Sequence, residues 1–78
     1  MVYCILLSVD GDNATYAIGS LINDITGKMV LNHKKSEYSI INQPNNEAVY
    51  DHFVTRMLSK YKKELDRGIF PKEMAYEI

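Results

Sequence analysis

The sequence predicts an α+β domain with the ferredoxin-like order strand, helix, strand, strand, helix, strand, written βαββαβ. Three patterns support this prediction. An unbroken apolar run opens the chain, a long amphipathic segment fills much of its second half, and short β-prone runs lie around the helical segments. In this fold a four-stranded antiparallel sheet carries both helices on one face. We expect residues 1–78 to form a single domain, because chains divide into separate cores only at several times this length.

The first strand is predicted over residues 2–9, where apolar residues follow one another without polar alternation. Such a run is typical of a strand that is covered on both faces, so this strand is expected in the middle of the sheet. The run is too short to span a bilayer, and no basic residue precedes it as in a signal peptide. We therefore expect a soluble domain without membrane association.

The second segment is predicted to be a helix that ends near Gly27. Six apolar residues recur at the spacing of one helical face: Ala14, Ala17, Ile18, Leu21, Ile22 and Ile25. Gly19 in the middle of the segment opposes this prediction, because glycine destabilises a helix by about 1 kcal/mol relative to alanine. The alternative is a β-hairpin that turns at Asp10 and Gly11. The helix is preferred because residues 15–22 alternate poorly with a period of two.

The middle of the chain predicts two short antiparallel strands, at residues 28–33 and 37–43, joined by a hairpin loop. Pro44 ends the second of them, since proline cannot donate to a strand ladder.

The longest helix is predicted from a cap at Asn45 or Asn46 to Gly68. Its apolar stripe consists of Val49, Phe53, Val54, Met57, Leu58, Tyr61 and Leu65. A last strand is predicted over residues 73–78, where apolar and polar residues alternate.

The first strand has apolar residues on both faces, whereas two helices on one side of the sheet can cover only one of them. One set of alternating residues must therefore stay uncovered, and exposed apolar patches usually mark interfaces. One set consists of Val2, Cys4 and Leu6, and the other consists of Tyr3, Ile5, Leu7 and Val9. Our expected interface combines Val2, Cys4 and Leu6 with Tyr76 of the last strand, and the alternative is that the other set stays uncovered. A two-fold homodimer would cover this patch, and it would also stabilise a small domain that no disulfide can support.

Composition narrows the function further. The net charge is −1, so the chain has no broad basic field for nucleic acid or anionic membrane. Its single cysteine favours a reducing, cytoplasmic location. We find no nucleophile motif, phosphate loop or metal-ligand spacing, and therefore expect no cofactor and favour a protein that is not an enzyme.

Asp10 and Asp12 follow the first strand and could together hold a divalent cation such as Mg²⁺. In position Asp10 resembles the aspartate of the Cas2-like family of small ferredoxin-like proteins. That resemblance rests on Asp10 and on the element order, and it implies a metal-dependent nuclease whose dimer brings two such aspartates together. Alternatively, both carboxylates are turn and cap residues.

A basic row recurs at spacings of four, three and four on the long helix: Arg56, Lys60, Lys63 and Arg67. Such a row could meet nucleic-acid phosphates or an acidic partner, or it could be an ordinary solvated helix face.

Three tyrosines, Tyr3, Tyr38 and Tyr76, lie on predicted strands, as in sheets that stack RNA bases. The Lys/Arg-Gly-aromatic core of such sheets is absent from residues 37–41, so cross-strand packing or a dimer contact is the simpler interpretation. His33 and His52 have no second metal ligand at a suitable spacing and are expected to be exposed polar residues.

The sequence thus predicts a small cytoplasmic protein-interaction module that is homodimeric through the open face of its sheet. The alternatives are a Cas2-like nuclease with Asp10 as ligand and a nucleic-acid binder that uses the basic row. Fold alone does not decide among them.

Overall fold

The computed structural model describes residues 1–77, and this part of the chain forms five strands and two short helices. In chain order these are β1 (Val2–Asp10), β2 (Asn13–Gly19), β3 (Gly27–Asn32), β4 (Glu37–Asn42), α1 (Asp51–Lys60), α2 (Lys62–Asp66) and β5 (Glu73–Tyr76). The strands make one antiparallel sheet in the order β4-β3-β2-β1-β5. The ferredoxin-like βαββαβ prediction, with its four-stranded sheet, is therefore wrong, although the coarser α+β class is confirmed.

The segment predicted as the first helix is strand β2. It follows β1 through a two-residue turn in which Gly11 has φ +61° and Asp10 pairs with Asn13. Glycine adopts this left-handed conformation without the steric cost that a Cβ would impose. The β-hairpin alternative is thus the arrangement that forms.

Two different structures in sequence produced the helical spacing of this segment. Ala14, Tyr16 and Ile18 alternate along β2, and all three are buried. Ala17, another member of the helical pattern, also lies on β2, whereas Leu21, Ile22 and Ile25 lie in the loop of residues 20–26 that follows it, where Leu21 and Ile22 are exposed. A strand joined to an apolar loop therefore imitated a single helical face.

The antiparallel pairing of the next two strands is confirmed. Asn32 of β3 pairs with Glu37 of β4 around a short loop in which Ser36 has φ 55°. The Asn32 side chain fixes this loop by accepting the backbone N–H of Lys35 at 2.9 Å.

The long predicted helix begins later than expected and is interrupted. α1 begins at Asp51, its N-cap residue Tyr50 makes no side-chain capping bond, and Tyr61 separates it from α2. The backbone N–H of Asn46 instead donates to the carboxylate of Asp24, so the expected cap belongs to a loop contact. Gly68, with φ 76°, lies just beyond α2, as predicted.

The helices cover one side of the sheet, and the core lies between the helices and the sheet. Its fully buried members include residues of β1, β2, β3, β5 and α1: Val2, Cys4, Ala14, Tyr16, Ile18, Met29, Leu31, Val54, Met57 and Met74. The Tyr16 hydroxyl donates to the carbonyl of Pro71 at 2.7 Å, which provides this buried phenol with a partner. Within residues 1–77 no helix has the length and apolar character needed to cross a bilayer.

Strand β5 closes the sheet against β1, with Val2 opposite Tyr76 and Cys4 opposite Met74. β1 is therefore an interior strand, as predicted, although it has β2 and β5 as neighbours. The predicted last strand is confirmed over Glu73–Tyr76, and its final predicted residue, Ile78, lies outside the described residues.

Candidate interface on the open face of the sheet

The side of the sheet opposite the helices, here called the open face, is defined by the strand register. Residues opposite each other in an antiparallel pair point to the same face. Cys4 pairs with Ile18 and Met74, and all three are buried under the helices. Their neighbours along β1, Tyr3 and Ile5, consequently point the other way.

One row of paired residues crosses the whole open face. It runs from β5 to β4 as Glu73, Ile5, Ala17, Lys28 and Asn42. We call this the central row. A second row beside it consists of Ser8, Thr15, Val30 and Ser39. The middle of the open face is thus apolar or small, and its charged side chains stand toward the two sides.

Ile5 is the most exposed apolar side chain of the central row, at 42%. Tyr3, Ala17 and Val30 beside it are half-buried. Further along β1, Leu7 lies at an irregularity of the β1–β2 ladder and is 54% exposed. β1 therefore presents apolar surface to solvent along most of its length.

The loop of residues 20–26 forms a rim over one end of the open face. Gly19 allows this close approach, because a Cβ at that position would collide with the backbone carbonyl of Asp24. Ile22 on the rim is 76% exposed, and Ile25 is half-buried. Together with Tyr3 and Ile5, these two side chains border a concavity of about 350 Å³.

Asp24 ties this rim to the segment before α1. Its carboxylate accepts the backbone N–H groups of Asn46 at 2.9 Å and Glu47 at 3.2 Å, and the hydroxyl of Thr26 at 2.9 Å. Burial by itself raises the pKa of Asp24, but the hydrogen bonds from Asn46, Thr26 and Glu47 outweigh it and hold this pKa below its usual value. Asp24 is therefore a charged structural tie that fixes the height of the rim.

The four residues predicted for the interface lie on the covered side of the sheet. Val2 and Cys4 are fully buried, while Leu6 and Tyr76 pack against the core from its margin. Burial raises the pKa of the Cys4 thiol to about 12, so this cysteine behaves as an apolar core residue. The expected patch exists, but it is carried by the other alternating set of β1.

The signal that distinguishes the two sets lies outside β1. Thr15 and Glu73 on the two adjacent strands and Lys28 on the strand beyond β2 fall on the face of Ile5, whereas Ile18 and Met74 fall on the face of Cys4. The face of each residue follows from the register of the strands. That register depends on the β1–β2 hairpin, which is incompatible with the predicted first helix.

Asp10 and Asp12 lie at the β1–β2 turn. Asp12 accepts the backbone N–H of His33 through its carbonyl oxygen and lies 3.1 Å from His33 Nε2 through its carboxylate. No group of three or more His, Cys, Asp or Glu side chains converges within residues 1–77. The metal site stays a prediction, but the element order that supported the resemblance to the Cas2-like family is absent.

The basic row does not stand free along its length. Lys60 Nζ donates to the carbonyl of Ala75 on the outer edge of β5 at 3.1 Å and lies 5.4 Å from the ring centre of Tyr61. The Tyr61 hydroxyl accepts the N–H of Ala75 at 3.3 Å. These two side chains therefore satisfy the edge of the sheet, while Arg56, Lys63 and Arg67 remain exposed.

The three strand tyrosines do not share a face. Tyr3 points to the open face and donates to Glu77 at 3.1 Å, whereas Tyr38 and Tyr76 pack against the core on the covered side. Burial and a 2.8 Å hydrogen bond to Asp51 raise the pKa of Tyr38 to about 12. A platform that stacks bases on all three rings is thus not formed.

Both histidines pack against neighbouring aromatic rings. His33 packs edge-on against Phe70, and His52 stacks near Tyr50 and Phe53.

A second concavity of about 230 Å³ lies between the β3–β4 hairpin and the helices. Its rim carries Lys62 and Asp66, whose side chains pair with each other at 2.9 Å. Thr55 on the same rim donates to the carbonyl of His52. The side chains of Lys62, Asp66 and Thr55 are therefore engaged locally rather than directed at a ligand.

Comparisons with protein-family models, with curated proteins and with solved structures gave no match to this chain. Fold and site define it as a small α+β protein whose five-stranded antiparallel sheet is covered by helices on one side.

Proposed function

We propose that this protein is a small protein-interaction module that acts as a homodimer through its open face. The observation that carries this proposal is the continuous apolar surface formed by Ile5, Tyr3 and the rim residue Ile22. Contiguous apolar patches on small proteins usually mark interaction sites.

The size of the domain supports the same proposal. A chain of this length buries only about 60% of its unfolded surface, so its own core supplies limited stability. Covering Ile5 and its neighbours in a dimer would remove further apolar surface from water and couple folding to association. A second copy presents the same apolar patch, so the two patches can cover each other around a two-fold axis.

The dimensions of the face set the expected strength. Five strands about 4.8 Å apart make a face roughly 20 Å wide, which is the footprint of a small interface. We therefore expect a dissociation constant on the order of micromolar rather than nanomolar. The single, buried Cys4 is compatible with a reducing compartment, and we place the protein in the cytoplasm on that ground.

Sedimentation equilibrium tests the dimer. Samples from about 1 µM to about 500 µM bracket the affinity expected of such an interface, and the mass should rise toward that of two chains. Ile5→Asp should keep the protein monomeric, because it introduces a charge into the apolar centre.

Ile69→Asp is the matched control. Ile69 is 46% exposed, close to the 42% of Ile5, but it follows α2 and lies away from the open face. This variant should dimerise like the wild type, and circular dichroism should show that both variants are folded. A wild-type protein that stays monomeric throughout, or equal losses in the two variants, would overturn the proposal.

The same samples test the two other hypotheses. Mg²⁺ titration with a nucleic-acid substrate examines the nuclease, and binding to DNA or RNA at several salt concentrations examines the basic row. Cleavage lost in Asp10→Ala would move the function to the β1–β2 turn. Salt-dependent binding lost in a variant with Arg56→Ala and Lys60→Ala would move it to the helices.

A further inference from the structure

The charges of the central row on the open face are complementary to those of a second copy related by a two-fold rotation. Glu73 stands at one side and Lys28 at the other, with Ile5 and Ala17 between them. The midpoint between β1 and β2 is therefore one and a half strand spacings from the acid and the same distance from the base. Acid and base are thus equidistant from the apolar centre.

These two charges cannot satisfy each other within one subunit. Their strands are three spacings apart, roughly 14 Å, which exceeds the reach of an ion pair in one row. Both side chains are exposed on a face whose centre is apolar. They are consequently available to a partner that presents the opposite charges at the same separation.

We propose that the dimer axis runs parallel to the strands between β1 and β2, so that Glu73 of each subunit pairs with Lys28 of the other. The inference rests on the proposed homodimer and specifies its geometry. A two-fold rotation about this axis lays β5 of one subunit over β3 of its partner, and Ile5 over the partner's Ala17. Sheets that pack face to face are about 10 Å apart, a gap that a lysine and a glutamate side chain can bridge together.

The competing two-fold arrangement is electrostatically unfavourable. An axis across the strands, along the central row, would place Glu73 over the partner's Glu73 and Lys28 over the partner's Lys28. Like charges facing each other across an interface oppose association, whereas complementary charges fix its register.

The rim fits the same axis. The loop of residues 20–26 rises over β2 at Gly19, and the rotation brings β1 of the partner above it. The backbone of Asp24 and Ile25, which lies over Gly19, then faces the partner's Tyr3. Strand β4 overhangs the paired region, because β5 is the last strand on the other side.

Charge reversal across the row tests this geometry. Lys28→Glu gives a subunit with two acids, and Glu73→Lys gives a subunit with two bases. Each variant alone should dimerise about tenfold or more weakly than the wild type, because both interface pairs become repulsive. An equimolar mixture should form a heterodimer with two restored pairs, within about threefold of the wild-type affinity.

Lys35→Glu and Glu64→Lys make the matched control, since both residues are exposed and lie off the open face. These variants should dimerise like the wild type alone and show no preference for each other when mixed. Circular dichroism should confirm that all four variants are folded.

The outcomes separate this inference from the proposed function. A monomeric wild type overturns both the dimer and its axis. A wild-type dimer whose single reversals leave the dissociation constant unchanged, or whose mixture is not restored, overturns the axis while the homodimer stands.

Discussion

The two faces of strand β1 differ in environment although their side chains are almost equally apolar. Cys4 is 1% exposed under the helices, whereas Ile5, the next residue, is 42% exposed on the open face. β1 alone gives no reason for this difference. The other strands of the sheet decide it, because they bring Ile18 and Met74 to one face and Lys28 and Glu73 to the other. Burial of an apolar strand is thus a property of its cross-strand partners.

The largest expected effect comes from truncating one isoleucine on each face of the sheet. Ile18→Ala should cost about 3 kcal/mol of unfolding free energy, because it leaves a cavity in a fully enclosed site. Ile5→Ala should cost less than about 1 kcal/mol, since that side chain already meets water. Urea denaturation below the dimer dissociation constant measures both, and equal costs would show that the open face is as well packed as the covered one.

The rim offers a second, smaller effect. Gly19→Ala should cost about 2 kcal/mol, because the new Cβ must displace the backbone of Asp24. Gly11→Ala is its control: no atom would meet that Cβ, and only the φ of +61° opposes it, at about 1 kcal/mol. Thermal unfolding compares the two variants. A smaller loss at Gly19 than at Gly11 would mean that the rim is not held against β2.

The Asp24 tie should make part of the stability depend on acid. Its pKa is lowered in the folded state, so its contribution is present above the ordinary value of 3.8 and is lost as the pH falls through the lowered value. Asp24→Asn should lower the melting temperature by several degrees at pH 7 and flatten this acid dependence.

Asp66→Asn is the control for that measurement, since Asp66 is an exposed carboxylate on α2. Its acid dependence should follow that of the wild type. A melting temperature at pH 7 that is unaffected by Asp24→Asn would show that the loop contact does not stabilise the fold.

The smallest effect concerns the edge of the sheet. Lys60→Met removes the bond to the carbonyl of Ala75 on β5 but keeps an unbranched apolar stem, and it should cost about 0.5 kcal/mol. Lys63→Met, on the exposed side of α2, should cost less. Chemical denaturation at high salt distinguishes them, and identical curves would mean that Lys60 does not hold β5.

Much of the fold could be predicted from local patterns, and the error that gave the wrong topology has one physical origin. The β3–β4 pair, the apolar stripe that places Val54 and Met57 in the core, and the strand that begins at Glu73 each follow from the periodicity of a single element. β2 could not be separated from the loop after it, because the exposed Leu21 and Ile22 extended its pattern at helical spacing. The spacing of apolar residues does not distinguish buried residues from exposed ones.

The same error affected the candidate site. With β2 taken as a helix, β1 had no register, and the choice between the sets of Cys4 and Ile5 was undetermined. The expectation of an uncovered apolar face depended only on the composition of β1, so it did not require the correct topology. The residues of that face required the pairing of Ile5 with Ala17 and Glu73.

Closure of the sheet by β5 has a consequence for how the chain opens. β1 to β4 pair with their neighbours in sequence, whereas β5 joins β1 from the far end of the chain, so its detachment is the natural route of local unfolding. Cys4, the sole thiol, lies opposite Met74 in that junction. The rate at which Cys4 is alkylated in native buffer would therefore measure the detachment of β5 from β1 without any engineered probe.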